Sequence, residues 1–167
     1  MVDGTAEGPL AGTTVLDFST VGPAARWLHF GLTSSDVLDT ALGLQMRQAC
    51  DLILQDVDEL AAAIKRRADE HRRTPMIGRT HGVHAEPMTL GVKLALWHAE
   101  MARSRARLVR AREAISVGKL SGAVGSYASV PPSVEARVMD SLGLAREDAS
   151  TQVVPRDRHA LLVARIA

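Results

Sequence analysis

Two histidines stand three residues apart in RTHGVHAEPMTLG, residues 79–91, and imidazole is the side chain whose charge changes most readily near neutral pH. His81 and His84 could therefore move a proton, ligate a metal or hydrogen-bond the backbone of a loop. Metal binding has the weakest support. A His-x-x-His pair followed by Glu86 is not the His-Glu-x-x-His face of a metallopeptidase, and Gly82 and Pro87 interrupt any regular helix there. Between a structural loop pair and general acid or base work, the spacing alone does not choose.

Two further stretches could do chemistry. GKLSGAVG, residues 118–125, has the look of a phosphate loop, but a P-loop needs a glycine five residues before its Gly-Lys and that position is Glu113. Gly118, Gly122 and Gly125 then make turns or let the backbone approach a ligand. In RSRARLVRARE, Arg103, Arg105, Arg107, Arg110 and Arg112 could grip phosphate. Glu100 and Glu113 flank them, and two Trp, one Tyr and two Phe leave little for bases to stack on. The run reads as a solvated helix face. Twenty basic against nineteen acidic residues leave a formal charge of +1, so no overall field favours nucleic acid or a membrane surface.

These residues need elements to hold them. Thr33 to Asp36 has the capping-box pattern of a helix start. From there Leu42, Met46, Ala49, Ile53, Val57, Leu60, Ile64 and Ala68 recur every three or four residues, which predicts a helix over about 34–73, ended before Pro75. Such a helix is roughly 55–60 Å long, against about 40 Å for a compact chain of 167 residues. A second helix is expected from Pro87, at its N1 position, to about residue 115, with the stripe Leu90, Leu94, Trp97, Met101, Leu108, Ala111 and Ile115. The stretch between them, 75–86, reads as a Gly- and Pro-punctuated loop. Two long apolar seams predict an oligomeric helical bundle. A loop through 116–132, a short helix from Ser133 to Leu142 stopped by Gly143, and a last helical pattern from about 156 follow. That last pattern reaches Ala167 still apolar, which reads as a helix that continues.

The first 26 residues differ: TTVLDF alternates like a short strand among four glycines and two prolines. Cys50, the one cysteine, has no partner in the chain and reads as a buried small hydrophobe in a reducing compartment. No apolar run of about 18 residues occurs and the N-terminus lacks a signal pattern, so a soluble, cytoplasmic protein is expected.

HFGLTSSDVLDTAL, GRTHGVHAEPMTLGVKLALWHAEM, GKLSGAVGSYA and STQVVPRDRHA together resemble the adenylosuccinate lyase family, of the fumarase and aspartase superfamily, in order, spacing and wording over about residues 21–167. The resemblance implies an all-α fold of long helices from four subunits, truncated here, with residues 27–167 a partial lyase-like domain and each active site built from three chains. It implies β-elimination of fumarate from adenylosuccinate, and from the succinylated carboxamide ribotide of purine synthesis, with no cofactor and no metal. It makes His81 the general acid, with Thr80 beside it positioning substrate, and leaves His84 structural. Thr33 and Ser34 match contacts to the succinyl carboxylates, which suits a helix N-terminus. His29 and Gln152 match further substrate contacts, while Lys93, Ser121 and Arg156 are weaker matches.

The first 20 residues instead resemble the opening of family III CoA-transferases and α-methylacyl-CoA racemases, as a fusion or misjoined frame would produce. The family's upstream histidine in an Arg-His-Asp setting is absent, and the loop Ser-Ser-x-Met-Pro-x-Lys-x-Asn that carries the serine base falls beyond residue 167. With such groups missing, transition-state stabilisation worth several kcal/mol is lost, and the chain by itself is expected to be inactive. The competing reading is a non-catalytic helical oligomerisation module.

Overall fold

The computed structural model describes residues 29–166. The chain divides between Phe30 and Gly31, and the fold set out here is that of residues 31–166. The strand expected at TTVLDF, and the atypical segment as a whole, lie outside the described residues.

Helix α1 spans Ser34–Glu70. Its start is the one the capping box predicts: Thr33 is the N-cap, and its backbone N–H donates to Asp36 Oδ2 at 2.9 Å. Its end falls at His71, a few residues early, because a turn through Thr74 prepares the chain for Pro75.

Residues 75–89 are a β-hairpin, not the expected loop followed by a helix start. Strand β1 (Pro75–Thr80) pairs antiparallel with β2 (Val83–Thr89), with Thr80 opposite Val83 and a bulge between Ile77 and Arg79. Two residues make the turn, His81 at φ +51° and Gly82 at φ +78°. Positive φ at both central positions is the type I′ pattern, whose twist matches that of paired strands. Histidine is among the few side chains enriched at such angles. With only two strands, each is an edge, so both prolines are tolerated.

Helix α2 spans Leu90–Ile115. Pro87 is therefore not its N1 residue: it sits opposite Ile77 in the ladder, and the N-cap is Thr89, whose Oγ1 accepts from Val92 N–H at 3.3 Å. The hairpin is rooted where the long helices meet, since Leu90 N–H donates to the Thr74 carbonyl and Gly91 N–H to that of His71, both at 3.0 Å.

The two long helices run antiparallel. Asp58 meets Arg105, and one heptad back along α1 Asp51 meets Arg112 one heptad on. Two arginines of the basic run are thus interhelical ion-pair partners and not simply a solvated face. Hydrogen bonds from Arg112 and Arg105 hold the Asp51 and Asp58 carboxyls below their ordinary pKa. One core joins Cys50 to Leu108, Ala111, Ile115 and Leu162, with Met46, Ile53 and Leu54 packed against it. Burial also raises the Cys50 thiol pKa, as a buried small hydrophobe requires.

Past α2, strand β3 (Val117–Gly118) pairs parallel with β4 (Ala145–Arg146), and helix α3 (Pro132–Leu142) forms the crossover, ending at Gly143. Leu120, Met139 and Leu144 form a second small core there. Helix α4 (Arg156–Ile166) returns along α2. No described helix is long and apolar enough to cross a membrane.

Candidate active site

The first turns of α1 bury polar groups where a helix ordinarily buries apolar ones. Asp36, Asp39, Thr40 and Gly43 share a face at the i, i+3, i+4, i+7 spacing, and all four are buried. Ser34, Val37 and Leu38, on the other side, are exposed. The helix start is thereby anchored from behind while its Thr33–Ser34 end stays open to solvent.

Each buried acid is matched to donors from a distant segment. Asp36 Oδ1 takes the Lys119 ammonium at 2.5 Å, and Oδ2 takes the Gly122 N–H at 3.2 Å besides its own cap bond. Asp39 accepts from Val154 N–H at 2.8 Å and Arg156 at 3.1 Å. Thr40 Oγ1 both donates to the Lys119 carbonyl and accepts from its N–H. Glu135, 1% exposed on α3, accepts from Leu120 N–H at 2.7 Å and from the Tyr127 hydroxyl at 2.9 Å. Burial, then the bond and charge of Glu135, push the Tyr127 pKa up. Ser121 and Ser150 share a hydrogen bond of 2.8 Å. A Cβ on Gly125, at φ +80°, would fall 1.9 Å from the Ser150 carbonyl oxygen, so only glycine lets these two loops touch.

The structure therefore gathers Thr33, Ser34, Ser121, Gln152 and Arg156 at one end of α1. Ser34, Gln152 and Arg156 are exposed, Thr33 is half-buried and Ser121 is buried. It puts Thr80, His81 and His84 elsewhere, all exposed on the hairpin at the opposite end of a helix roughly 55 Å long. Lys93 belongs to the hairpin end, lining an open depression with Ile77, Arg79 and Met88, its ammonium 5.7 Å from the Trp97 ring. His29 is exposed at φ +91° and falls on the other side of the chain's division. Within one chain His81 and Ser34 do not meet.

Sequence reasoning missed Lys119 and Glu135. In the sequence Lys119 stands out only as part of a failed phosphate loop. The available signal was a lone charge in VGKLSGAV, an otherwise uncharged stretch, where a lysine is either an exposed tip or a buried partner.

Solved structures share this fold. A fumarate lyase from Mesorhizobium sp. BNC1 superposes with a TM-score of 0.80 at 35% identity, over 87% of this chain and 35% of that one. A 3-carboxy-cis,cis-muconate lactonizing enzyme from Pseudomonas putida gives 0.79 at 36%, over 88% and 34%. Among curated relatives, the adenylosuccinate lyases of Synechocystis and Aquifex aeolicus are each 56% identical, over 147 and 143 residues, and that of Bacillus subtilis is 51% identical over 148. Those alignments cover 86–89% of this chain and 33–34% of the relatives, so the chain spans about a third of their length. A family model described as "Lyase" matches residues 11–167, taking in part of the N-terminal segment. Fold, sequence and the motif-bearing segments agree, and the chain belongs to this lyase family.

Proposed function

We propose that this chain supplies part of an adenylosuccinate lyase active site, acting in the cytoplasm and without a cofactor on adenylosuccinate and the succinylated carboxamide ribotide. The observation that carries the reading is the 56% identity over 147 residues to adenylosuccinate lyases. In the reaction a base takes a proton beside a carboxylate, and the electron pair left on carbon forms the new double bond of fumarate as the C–N bond breaks. The departing nitrogen, in AMP or the ribotide, takes a proton. His81 is the acid that gives it, and its exposed seat on a two-residue turn suits a group that must reach a ligand bound elsewhere. The open start of α1, with Thr33 and Ser34, holds a succinyl carboxylate through free backbone donors and hydroxyls. Thr80, Gln152 and His29 contact substrate around them.

Because His81 and Ser34 lie at opposite ends of α1, a complete site draws them from different copies in a homo-oligomer, a tetramer by family resemblance. Exposed Leu52, Leu60, Leu96 and Trp97 along the long helices give copies an apolar surface to share. No nucleic-acid or membrane partner is part of this reading. The same exposed seam also suits a non-catalytic oligomerisation module, so assembly alone does not discriminate.

Binding does. Calorimetric titration with AMP and with fumarate is expected to show saturable binding, lost in Ser34→Ala and in His81→Asn. Asparagine also tolerates the turn's positive φ, so that second variant keeps the hairpin and removes only the imidazole. No binding by the wild-type chain, or binding unchanged in both variants, would favour the module. Fumarate release by the 167-residue chain alone is expected at least about a hundredfold below that of a complete enzyme.

A further inference from the structure

We infer that Lys119 is a positioning residue for the carboxylate-binding end of the site, an assignment that rests on the function proposed above. Lys119 is 0% exposed, yet its ammonium is fully used: it donates to Asp36 Oδ1 at 2.5 Å, to the Gly122 carbonyl at 3.2 Å and to the Gln152 carbonyl at 3.0 Å. Three protons meet three acceptors. Each acceptor belongs to a different segment: the first turn of α1, the glycine loop, and the stretch leading into α4. Those are the segments that carry Thr33 and Ser34, Ser121, and Gln152.

Lys119 is positioned against direct contact with a ligand, since its side chain is only 1% exposed and its ammonium protons are all used. It acts through what it holds. Asp36, joined to Lys119 at one oxygen, uses the other to fix both the Thr33 and Gly122 N–H groups. Burying an ammonium is costly and is offset only when every proton is matched. The arrangement thus places a single well-determined distance between the helix start and the Gln152 backbone. A methionine here would leave a buried carboxylate and two carbonyls without their donor, and the three segments free to drift apart.

The test uses the 167-residue chain and fumarate as probe, comparing wild type, Lys119→Met, the double variant Asp36→Asn with Lys119→Met, and Ser34→Ala. Calorimetry reads affinity, amide hydrogen exchange reads local opening, and urea unfolding reads stability. Lys119→Met is expected to weaken fumarate binding about tenfold or more, and to speed exchange at 33–36, 121–125 and 150–153 while the α1–α2 contact region stays protected. The double variant removes the unpaired charge and is expected to regain stability without regaining affinity. A purely structural lysine would regain both. Fumarate affinity in Lys119→Met equal to wild type, or restored in the double variant, overturns the assignment. If wild type fails to bind, or Ser34→Ala binds equally well, the functional reading itself fails and takes this assignment with it. Serine-dependent binding that ignores Lys119 removes the assignment alone.

Discussion

His81 shows how much one residue's chemistry depends on the backbone that holds it. Its positive φ and that of Gly82 let the hairpin turn in two residues, and the ring is left exposed at the tip. A Cβ at Gly82 would meet no atom within 4 Å, so a substitution there strains the backbone without any clash. Gly82→Ala is expected to cost about 1–2 kcal/mol, read as a lower urea midpoint with unchanged slope. Tyr127 makes a second case. Its hydroxyl bond to the buried Glu135 makes Tyr127→Phe about 1–3 kcal/mol less stable near neutral pH. The folded-state pKa of Tyr127 lies above its ordinary 10.0, so its contribution is fully present below that value and is lost as pH rises through the folded pKa. Phenylalanine should flatten this alkaline decline in stability, measured by urea unfolding from about pH 8 upwards.

At the scale of elements, α1 and α2 are matched by paired charges as well as by apolar stripes. The Asp51–Arg112 and Asp58–Arg105 bonds hold both carboxyls below their ordinary pKa of 3.8. Groups depressed in this way lend stability above that value and lose it as pH falls through the folded pKa. Asp51→Asn with Asp58→Asn should therefore shrink the loss of stability below about pH 4, as should added salt, because both pairs are solvent-exposed enough to be screened. An acid limb that is the same in the variant and the wild type would show that the pairs register the helices without stabilising them. The heptad offset between the pairs agrees with the seven-residue component of the α2 stripe, so charge and apolar pattern specify one alignment.

Across the whole of residues 31–166, burial is uneven. Every buried residue of α1 lies in its first half, from Asp36 to Cys50, and none from Asp51 onward is buried. The outer half carries Leu52 at 63% and Leu60 at 50% exposed, and the first half of α2 carries Leu96 at 62% and Trp97 at 46%. A chain with such a seam is expected to self-associate. Light scattering should report a mass several times that of one chain, and Leu60→Glu with Leu96→Glu should lower it while circular dichroism still reports a helical chain. An unchanged monomer mass in the wild type would remove the shared site from the proposed function, since His81 then has no route to Ser34.

The sequence by itself determined the long helices, the cap at Thr33 and the family, because periodicity, capping and motif wording are local properties read along the chain. Three things it did not yield. The 75–89 hairpin was hidden because Pro75–Thr89 combines two prolines with a histidine turn, and its weak alternation competes with a plausible N1 proline. The pairing of Asp36 with Lys119, 83 positions apart, depends on a chain path that no local pattern encodes. The separation of His81 from Ser34 follows from the rise of a straight helix once the hairpin is rooted at its far end. Tertiary structure alone decided which polar residues are buried together and which are held apart, because those distances are set by packing between segments and not by spacing within them.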